Sequence, residues 1–212
     1  MVLETLKGLF EEYIEGHPLQ RLQINDSPLI TVSGGICTGK TYVTTELAKK
    51  YGLGYYSVGS EIRRIANQKK MTIEDFVTHL HENHKEALLI DLNASYSALE
   101  KMAKGGEKET GLVTDGQLAG WYGVFLKSMK RENVFNFNLQ CDEETRKERL
   151  LSRDSKLENF NSMTVRNHLD EMRWKNLGID INDISIYDLV LNTACLTKKE
   201  VIDSICCVIP CV

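Results

Sequence analysis

The feature that most restricts the fold is a glycine-rich octapeptide, Gly34-Gly35-Ile36-Cys37-Thr38-Gly39-Lys40-Thr41. It fits the pattern G-x-x-x-x-G-K-[ST], in which a loop without bulky side chains brings backbone N–H groups to the start of a helix. Such a loop surrounds a polyphosphate, and the helix dipole favours the negative charge. A β-branched run precedes the motif at residues 28–33, and Val43, Leu47 and Tyr51 follow at helical spacing. The sequence therefore predicts a nucleoside triphosphate site between a strand and a helix.

Short apolar runs alternate with helical patterns along the rest of the chain. The predicted strands lie at residues 28–33, 55–58, 112–114, 134–141 and 189–193. Helical patterns separate every consecutive pair of these strands. This alternation predicts an α/β protein with a five-stranded parallel sheet that is flanked by helices on both faces.

Composition narrows the class of partner. The 212 residues carry a formal charge of −4, so the chain lacks the overall basic field that binding to a nucleic acid polymer needs. No apolar stretch approaches the roughly 18 residues of a membrane span, and we expect no membrane partner.

The first four residues, Met1-Val2-Leu3-Glu4, do not resemble a secretory signal. The six cysteines form no Cys-x-x-Cys pair. We interpret them as reduced thiols and expect a cytoplasmic protein.

Individual side chains fit phosphate chemistry. Lys40 is expected to place its ammonium on the β and γ phosphates of ATP, and the Thr41 hydroxyl to ligate Mg²⁺. Asp115 ends the third predicted strand, where a carboxylate can hold Mg²⁺ or its water ligands. Arg63 lies near the start of the helix after the second strand, and its guanidinium suits bidentate contact with a second phosphate.

A run of arginines adds a local positive field. Residues 146–175 contain eight basic and five acidic side chains, which gives net +3 within a chain of net −4. Arg146, Arg149 and Arg153 are spaced to share one helix face, where like charges repel unless an anion joins them. A solvated helix face explains such a pattern in isolation. Beside a phosphate loop, the pattern favours stabilisation of a migrating phosphoryl group.

These residues carry a family resemblance. The chain resembles the archaeal type of cytidylate kinase, within the P-loop nucleoside monophosphate kinases, from about residue 29 to residue 205. The resemblance rests on the phosphate loop, on Val58-Gly59 with Arg63, on Asp115-Gly116-Gln117-Leu118-Ala119-Gly120-Trp121, on Arg146-Lys147-Glu148-Arg149 with Arg153, on Arg166, Asp170, Arg173 and Trp174, and on the run from residue 179 to residue 193.

The resemblance implies transfer of the γ-phosphoryl group of ATP to CMP or dCMP. It implies a kinase domain at residues 28–212, with a helical monophosphate-binding region at about 60–105 and a lid at about 153–168. We expect residues 1–27, which precede the matched region, to form an N-terminal helical extension. We expect a monomer or weak dimer.

The site residues implied by the resemblance fall into four groups. The catalytic group is Lys40, Arg149, Arg153 and Arg166. The ATP-binding group is Gly34, Gly35, Ile36, Cys37, Thr38, Gly39, Lys40, Thr41 and Tyr42. The monophosphate-binding group is Arg63, Asp115, Gln117 and Arg173. The metal ligands are Thr41 and Asp115, and Mg²⁺ is the expected cofactor.

Two other functions stay open. The family usually carries arginine where this chain has Gln117, and a neutral amide cannot neutralise a phosphate. A P-loop kinase acting on another small acceptor is therefore an alternative. The other alternative is a nucleotide-binding regulatory protein whose kinase activity has decayed, with residues 1–27 as a partner-binding element. The intact Lys40, Thr41 and Asp115 argue against it.

Overall fold

The fold is described from a computed structural model. It describes residues 4, 5, 7, 8, 22, 24–108, 110–152, 164, 167, 168, 171, 172, 174–176 and 178–210.

A five-stranded sheet forms the centre of the protein. Its strands are β1 (Leu29–Gly34), β2 (Gly54–Ser57), β3 (Leu112–Asp115), β4 (Val134–Gln140) and β5 (Leu189–Asn192). Their order across the sheet is β2-β3-β1-β4-β5, and all four pairings are parallel. The predicted fold class is confirmed. Because parallel strands end at the same edge, the loops after β1, β3 and β4 meet at one side of the sheet.

Seven helices with defined ends accompany the sheet in the described part of the chain. They are α1 (Lys40–Tyr51), α2 (Val58–Gln68), α3 (Ile73–Glu82), α4 (His84–Lys104), α5 (Ala119–Ser128), α6 (Glu143–Leu151) and α7 (Lys198–Val208). The second strand was predicted to include Val58, which instead begins α2. The Ser57 hydroxyl accepts a hydrogen bond from the Ser60 N–H at 3.3 Å, and this N-cap ends the strand one residue early.

Two apolar clusters hold the helices against the sheet. One joins α4 and α5 through buried side chains such as Leu99, Met102 and Phe125. The other joins α1 and α7 through Leu47 and Ile205, which are both completely buried. Clusters of this size supply most of the free energy that favours folding, because burial of apolar surface contributes about 25 cal/mol per Å². They fix the sheet edge from which the site residues project.

A buried arginine ties the sheet to the end of α4. Arg131 is 1% exposed, and its Nη1 donates to the Met102 carbonyl at 2.7 Å. The same guanidinium donates to the carbonyls of Ala103 and Ser27. Burial lowers the pKa of Arg131 to about 10, and the carboxylate of Asp26 opposes this shift. The group stays charged at neutral pH and adds a charged donor to two carbonyls of the last turn of α4, which also accept from the N–H groups of Gly105 and Asn25.

None of the helices in the described part of the chain combines the length and the apolar character that a membrane crossing needs. Among the same residues, no disulfide joins any of the cysteines Cys37, Cys141, Cys195, Cys206 and Cys207.

Candidate active site

The phosphate loop leaves β1 through a backbone turn that only glycine tolerates. Gly34 has φ 139°, and a Cβ at this position would collide with the Leu139 carbonyl of β4. Gly39 has φ 100° and precedes the first residue of α1. These two glycines are the fixed glycines of the motif, and the structure assigns each of them a conformation that L side chains rarely adopt.

The N-terminus of α1 faces the loop without a side-chain cap. Gly39 occupies the N-cap position and has no side chain to accept from the first amides of this 12-residue helix. The Lys40 Nζ lies over the loop and donates to the carbonyls of Gly34 at 2.7 Å and Gly35 at 2.5 Å. Uncapped amides and an ammonium group beside one loop form a typical anion-binding arrangement.

Asp115 is buried beneath the loop at the carboxyl end of β3. It is 3% exposed, and its carboxylate accepts hydrogen bonds from three hydroxyl groups. The donors are Ser57 Oγ at 2.7 Å, Tyr55 Oη at 3.0 Å and Thr44 Oγ1 at 3.2 Å. Burial, followed by the charge of Asp115, raises the pKa of the Tyr55 hydroxyl, which therefore stays protonated and donates. These hydroxyls hold the carboxylate in one orientation.

Arg146, on α6, contacts the start of the phosphate loop. A Cβ added at Gly35 would lie 3.1 Å from the Arg146 Nη1, so the guanidinium packs directly on the glycine backbone. The Arg146 Nε is buried and has no hydrogen-bond partner. A buried, unpaired N–H costs free energy unless a ligand satisfies it. Arg146 belonged to the predicted arginine series but not to the predicted catalytic group.

Arg149, one turn later on α6, connects the loop to the segment after β5. Its Nη1 donates to Thr193 Oγ1 at 2.9 Å and its Nη2 to the Thr193 carbonyl at 2.6 Å. The same Nη1 lies 3.4 Å from the Cys37 carbonyl and 3.5 Å from the Thr38 carbonyl. The guanidinium thus braces the loop from the α6 side, and its predicted contact with a transferring phosphoryl group stays a prediction.

A cavity of about 480 Å³ opens beside the loop. Gly34, Gly35, Thr38 and Arg146 line it together with Gln117, which follows β3. Its volume falls in the range of small-molecule sites. The structure therefore brings Gln117 to the same cavity as the phosphate loop, in agreement with its position after a neighbouring strand.

The other predicted site residues take several positions. Thr41 and Tyr42 are exposed in the first turn of α1, and Arg63 is exposed on α2. Arg153, Arg166 and Arg173 lie outside the described residues, as does most of the predicted lid.

The sequence analysis did not identify four residues that hydrogen-bond to the site residues Asp115 and Arg149, namely Thr44, Tyr55, Ser57 and Thr193. Only the N-cap role of Ser57 leaves a local signal, since a serine before a helix start is a common cap.

A divalent cation fits the oxygen groups at this edge. Within the described part of the chain, no three His, Cys, Asp or Glu side chains form a metal site of their own. Mg²⁺ binds proteins through one or two oxygen groups and completes its octahedron with phosphates and water. The exposed Thr41 hydroxyl and the oriented Asp115 carboxylate match that donor chemistry.

The parallel sheet, the glycine-dependent loop and the uncapped helix define a P-loop protein with the fold of small-molecule kinases. A gluconokinase from Sinorhizobium meliloti has a similar structure, with a TM-score of 0.56 and 12% identity over 87% of this chain and 93% of that one. The AAA domain family matches residues 30–185.

Relatives of known name are closer in sequence. The chain is 34% identical to cytidylate kinase of Archaeoglobus fulgidus over 83% of its own length and 91% of that protein. It is also 34% identical to cytidylate kinase of Pyrococcus horikoshii, over 80% of its own length and 81% of that protein. The chain belongs to the cytidylate kinase family.

Proposed function

We propose that the protein transfers the γ-phosphoryl group of ATP to a nucleoside monophosphate, with CMP or dCMP as the preferred acceptor. The observation that carries the proposal is the arrangement around the phosphate loop, where Lys40 and Arg146 both contact Gly35. Two positive groups over one loop can neutralise charge on a phosphoryl group in transit. Membership of the cytidylate kinase family supports CMP as the acceptor.

The chain's own residues supply positioning and charge in this reaction. The loop amides and Lys40 hold the β and γ phosphates of ATP, while Arg63 and Gln117 orient the acceptor. An acceptor phosphate oxygen attacks the γ phosphorus, the bond to the β–γ bridging oxygen breaks, and ADP leaves. Mg²⁺, held with the nucleotide by Thr41 and near Asp115, would neutralise phosphate charge when bound. Arg149, Arg153, Arg166 and Arg173 would gather around the site as the lid at about 153–168 closes.

The proposed function also assigns roles to separate parts of the chain. Helices α2, α3 and α4 lie between β2 and β3 and cover most of the proposed monophosphate-binding region at about 60–105. We propose that residues 28–212 form the kinase domain and that residues 1–27 form an N-terminal extension. We also propose that the protein is a monomer or weak dimer. A cytoplasmic location stays a prediction from the sequence.

One observation favours a second candidate. Gln117 lines the cavity where the family usually has arginine, and its neutral amide suits an uncharged part of an acceptor. The alternative is therefore a P-loop kinase for another small, phosphorylatable molecule. ADP release with Mg·ATP and CMP, dCMP, UMP, AMP or GMP in separate reactions distinguishes the candidates. The proposal expects the highest kcat/KM with CMP or dCMP, and a rate that none of the five acceptors raises would contradict it.

A further inference from the structure

The phosphate loop has a left-handed turn at a residue that is not glycine. Cys37 has φ 64°, a conformation in which the Cβ of an L residue lies close to the following carbonyl oxygen. Glycine reaches positive φ without this cost, and glycine stands at the two other positive-φ positions of the loop, Gly34 and Gly39. A side chain in such a conformation persists only where its surroundings hold it.

Two other non-glycine residues in the described part of the chain share this conformation. Lys70 has φ 57° and Lys130 has φ 69°, and both are exposed in turns that follow helices. Cys37, in contrast, is 5% exposed and lies in the proposed ATP site. Among these three residues, Cys37 is therefore the one whose conformation can act on a ligand.

The turn at Cys37 shapes the side of the loop that faces an anion. Within residues 36–40, φ is positive at Cys37 and Gly39 and not at the other three residues. Such alternation points successive backbone N–H groups to the same side, which forms a concave anion site. A rotation of Cys37 to negative φ would turn these N–H groups apart. The conformation of Cys37 is thus a condition for the concave site.

Helix α6 holds the Cys37 side chain in place. The side chain packs in a small apolar cluster with Leu150 of α6, which is 4% exposed, and with the partly buried Ile36. The Cys37 carbonyl also lies 3.4 Å from the Nη1 of Arg149, the residue before Leu150. Because a change of φ moves Cβ relative to the loop backbone, the contact with Leu150 and the left-handed turn depend on one another.

We infer that Cys37 is a positioning residue for ATP, whose side chain anchors the phosphate loop to α6 and keeps the concave site formed before nucleotide binds. The inference rests on the proposed function, because it concerns how the phosphoryl donor is held. Without the anchor, only a fraction of the molecules has the binding conformation at any time. The apparent affinity for ATP then falls by that fraction.

Calorimetric titration of Mg·ATP into Cys37→Ala and Cys37→Gly tests the inference. Alanine keeps the cost of the left-handed turn and loses the thiol that packs on Leu150, so ATP should bind about tenfold more weakly. Glycine loses the same contact but also removes the steric cost, so we expect a smaller loss of about threefold. The affinity for CMP should be unchanged in both variants. A side chain that merely fills space would give the reverse order, with glycine at least as harmful as alanine.

Leu150→Ala removes the other half of the contact. It should weaken ATP binding by a factor similar to that of Cys37→Ala. The double variant should bind ATP about as weakly as either single variant, because all three lose the same contact. Leu150→Val, a smaller truncation, replaces the alanine variant if the latter does not fold. Losses that multiply in the double variant would show independent effects and would contradict the anchor.

Lys130→Gly is the matched control. It relieves a left-handed turn of similar φ, but Lys130 precedes β4 and so lies at the sheet edge opposite the phosphate loop. The melting temperature should stay equal or rise, because glycine adopts positive φ without steric cost. The affinity for ATP should equal that of the unmodified protein.

The outcomes separate this inference from the proposed function. Unchanged ATP affinity in both Cys37 variants overturns the inference, even where the unmodified enzyme converts CMP to CDP. Equal weakening of ATP and CMP binding overturns it too, since a general loosening of the protein would explain both. Unmodified protein that binds no ATP also overturns it. A protein whose variants bind ATP in the expected order, but that transfers no phosphoryl group to any acceptor, would contradict the proposed function alone.

Discussion

Arg149 and Thr193 are joined by two hydrogen bonds, from Nη1 to the hydroxyl at 2.9 Å and from Nη2 to the carbonyl at 2.6 Å. The Thr193 hydroxyl in turn donates to the Thr38 carbonyl at 3.0 Å. The segment after β5 and the phosphate loop are thus held by one network. Because the Arg149 guanidinium contacts both Thr193 and the Thr38 carbonyl, it holds the phosphate loop in one conformation before nucleotide binds.

Replacement of Arg149 by alanine should therefore affect the resting protein as well as the reaction. Loss of the charged hydrogen bonds should lower the free energy of unfolding by about 1–2 kcal/mol. A looser loop should raise the KM for ATP about tenfold and lower kcat. Urea denaturation and steady-state kinetics measure the two effects. Thr193→Val, which removes only the hydroxyl, should reproduce part of the stability loss. Wild-type stability and KM in Arg149→Ala would contradict the bracing role.

Replacement of Arg146 by alanine should act on the reaction with little loss of stability. The guanidinium packs on Gly35 with its Nε unpaired, so its removal costs the free protein few contacts. Positive charge aimed at a migrating phosphoryl group supplies several kcal/mol to the transition state, and kcat should fall about 10²-fold or more. Steady-state rates at saturating ATP and CMP measure this effect.

The matched control for Arg146 is Arg64→Ala. Arg64 is an exposed arginine on α2 that pairs with Glu61 at 2.6 Å. Its removal should leave kcat within about twofold of wild type, because exposed ion pairs contribute little. Equal rates for Arg146→Ala and Arg64→Ala would show that Arg146 does not act on the phosphoryl group.

The Asp115 carboxylate should be sensitive to loss of charge. Asp115→Asn keeps the shape but replaces one acceptor oxygen by an N–H₂ group, which faces hydroxyl donors from Ser57, Tyr55 or Thr44. We expect a higher Mg²⁺ concentration for half-maximal rate and a lower melting temperature. Tyr55→Phe is the control, since it removes one donor and keeps the charge. Its Mg²⁺ dependence should stay close to wild type, and an equal shift in both variants would contradict a role of the charge.

Arg131 should contribute to stability only. Arg131→Met removes the charged donor of the Met102, Ala103 and Ser27 carbonyls, of which Met102 and Ala103 keep hydrogen bonds from the N–H groups of Gly105 and Asn25. Hydrogen bonds to a charged group contribute about 1.5–3 kcal/mol, so the free energy of unfolding should fall by about that amount. Urea denaturation measures this loss. The KM for ATP should be unchanged below the transition, and a variant as stable as wild type would contradict the account.

The sheet could be predicted because its signals are local. Val43, Leu47 and Tyr51, whose spacing predicted a helix after the glycine-rich motif, all lie in α1. Val58 was predicted to belong to the second strand, but it begins α2. Ser57 is both the last residue of β2 and the N-cap of α2, and only tertiary contacts decide at which residue the strand ends and the helix begins.

The roles of two arginines on α6 could not be separated from sequence. Arg146 and Arg149 are three residues apart, and helical spacing gives both the same face. Their different contacts depend on where the phosphate loop and Thr193 lie against that face. Thr193 is 44 residues away from Arg149 in the sequence.

The hydrogen-bond donors to the Asp115 carboxylate could not be predicted for the same reason. The sequence predicted the position of Asp115 at the end of a parallel strand, but not its hydrogen-bond donors, which come from α1 and β2. Such features arise from packing between distant segments, which patterns of a single chain do not encode locally.

The most direct test of the central claim is a product analysis of one reaction with Mg·ATP and CMP. Chromatography should show CDP and ADP appearing in equal amounts, and Lys40→Ala should lower both rates by about 10²-fold or more. Release of ADP with free phosphate and no CDP, or CDP formation that Lys40→Ala leaves unaltered, would contradict the account.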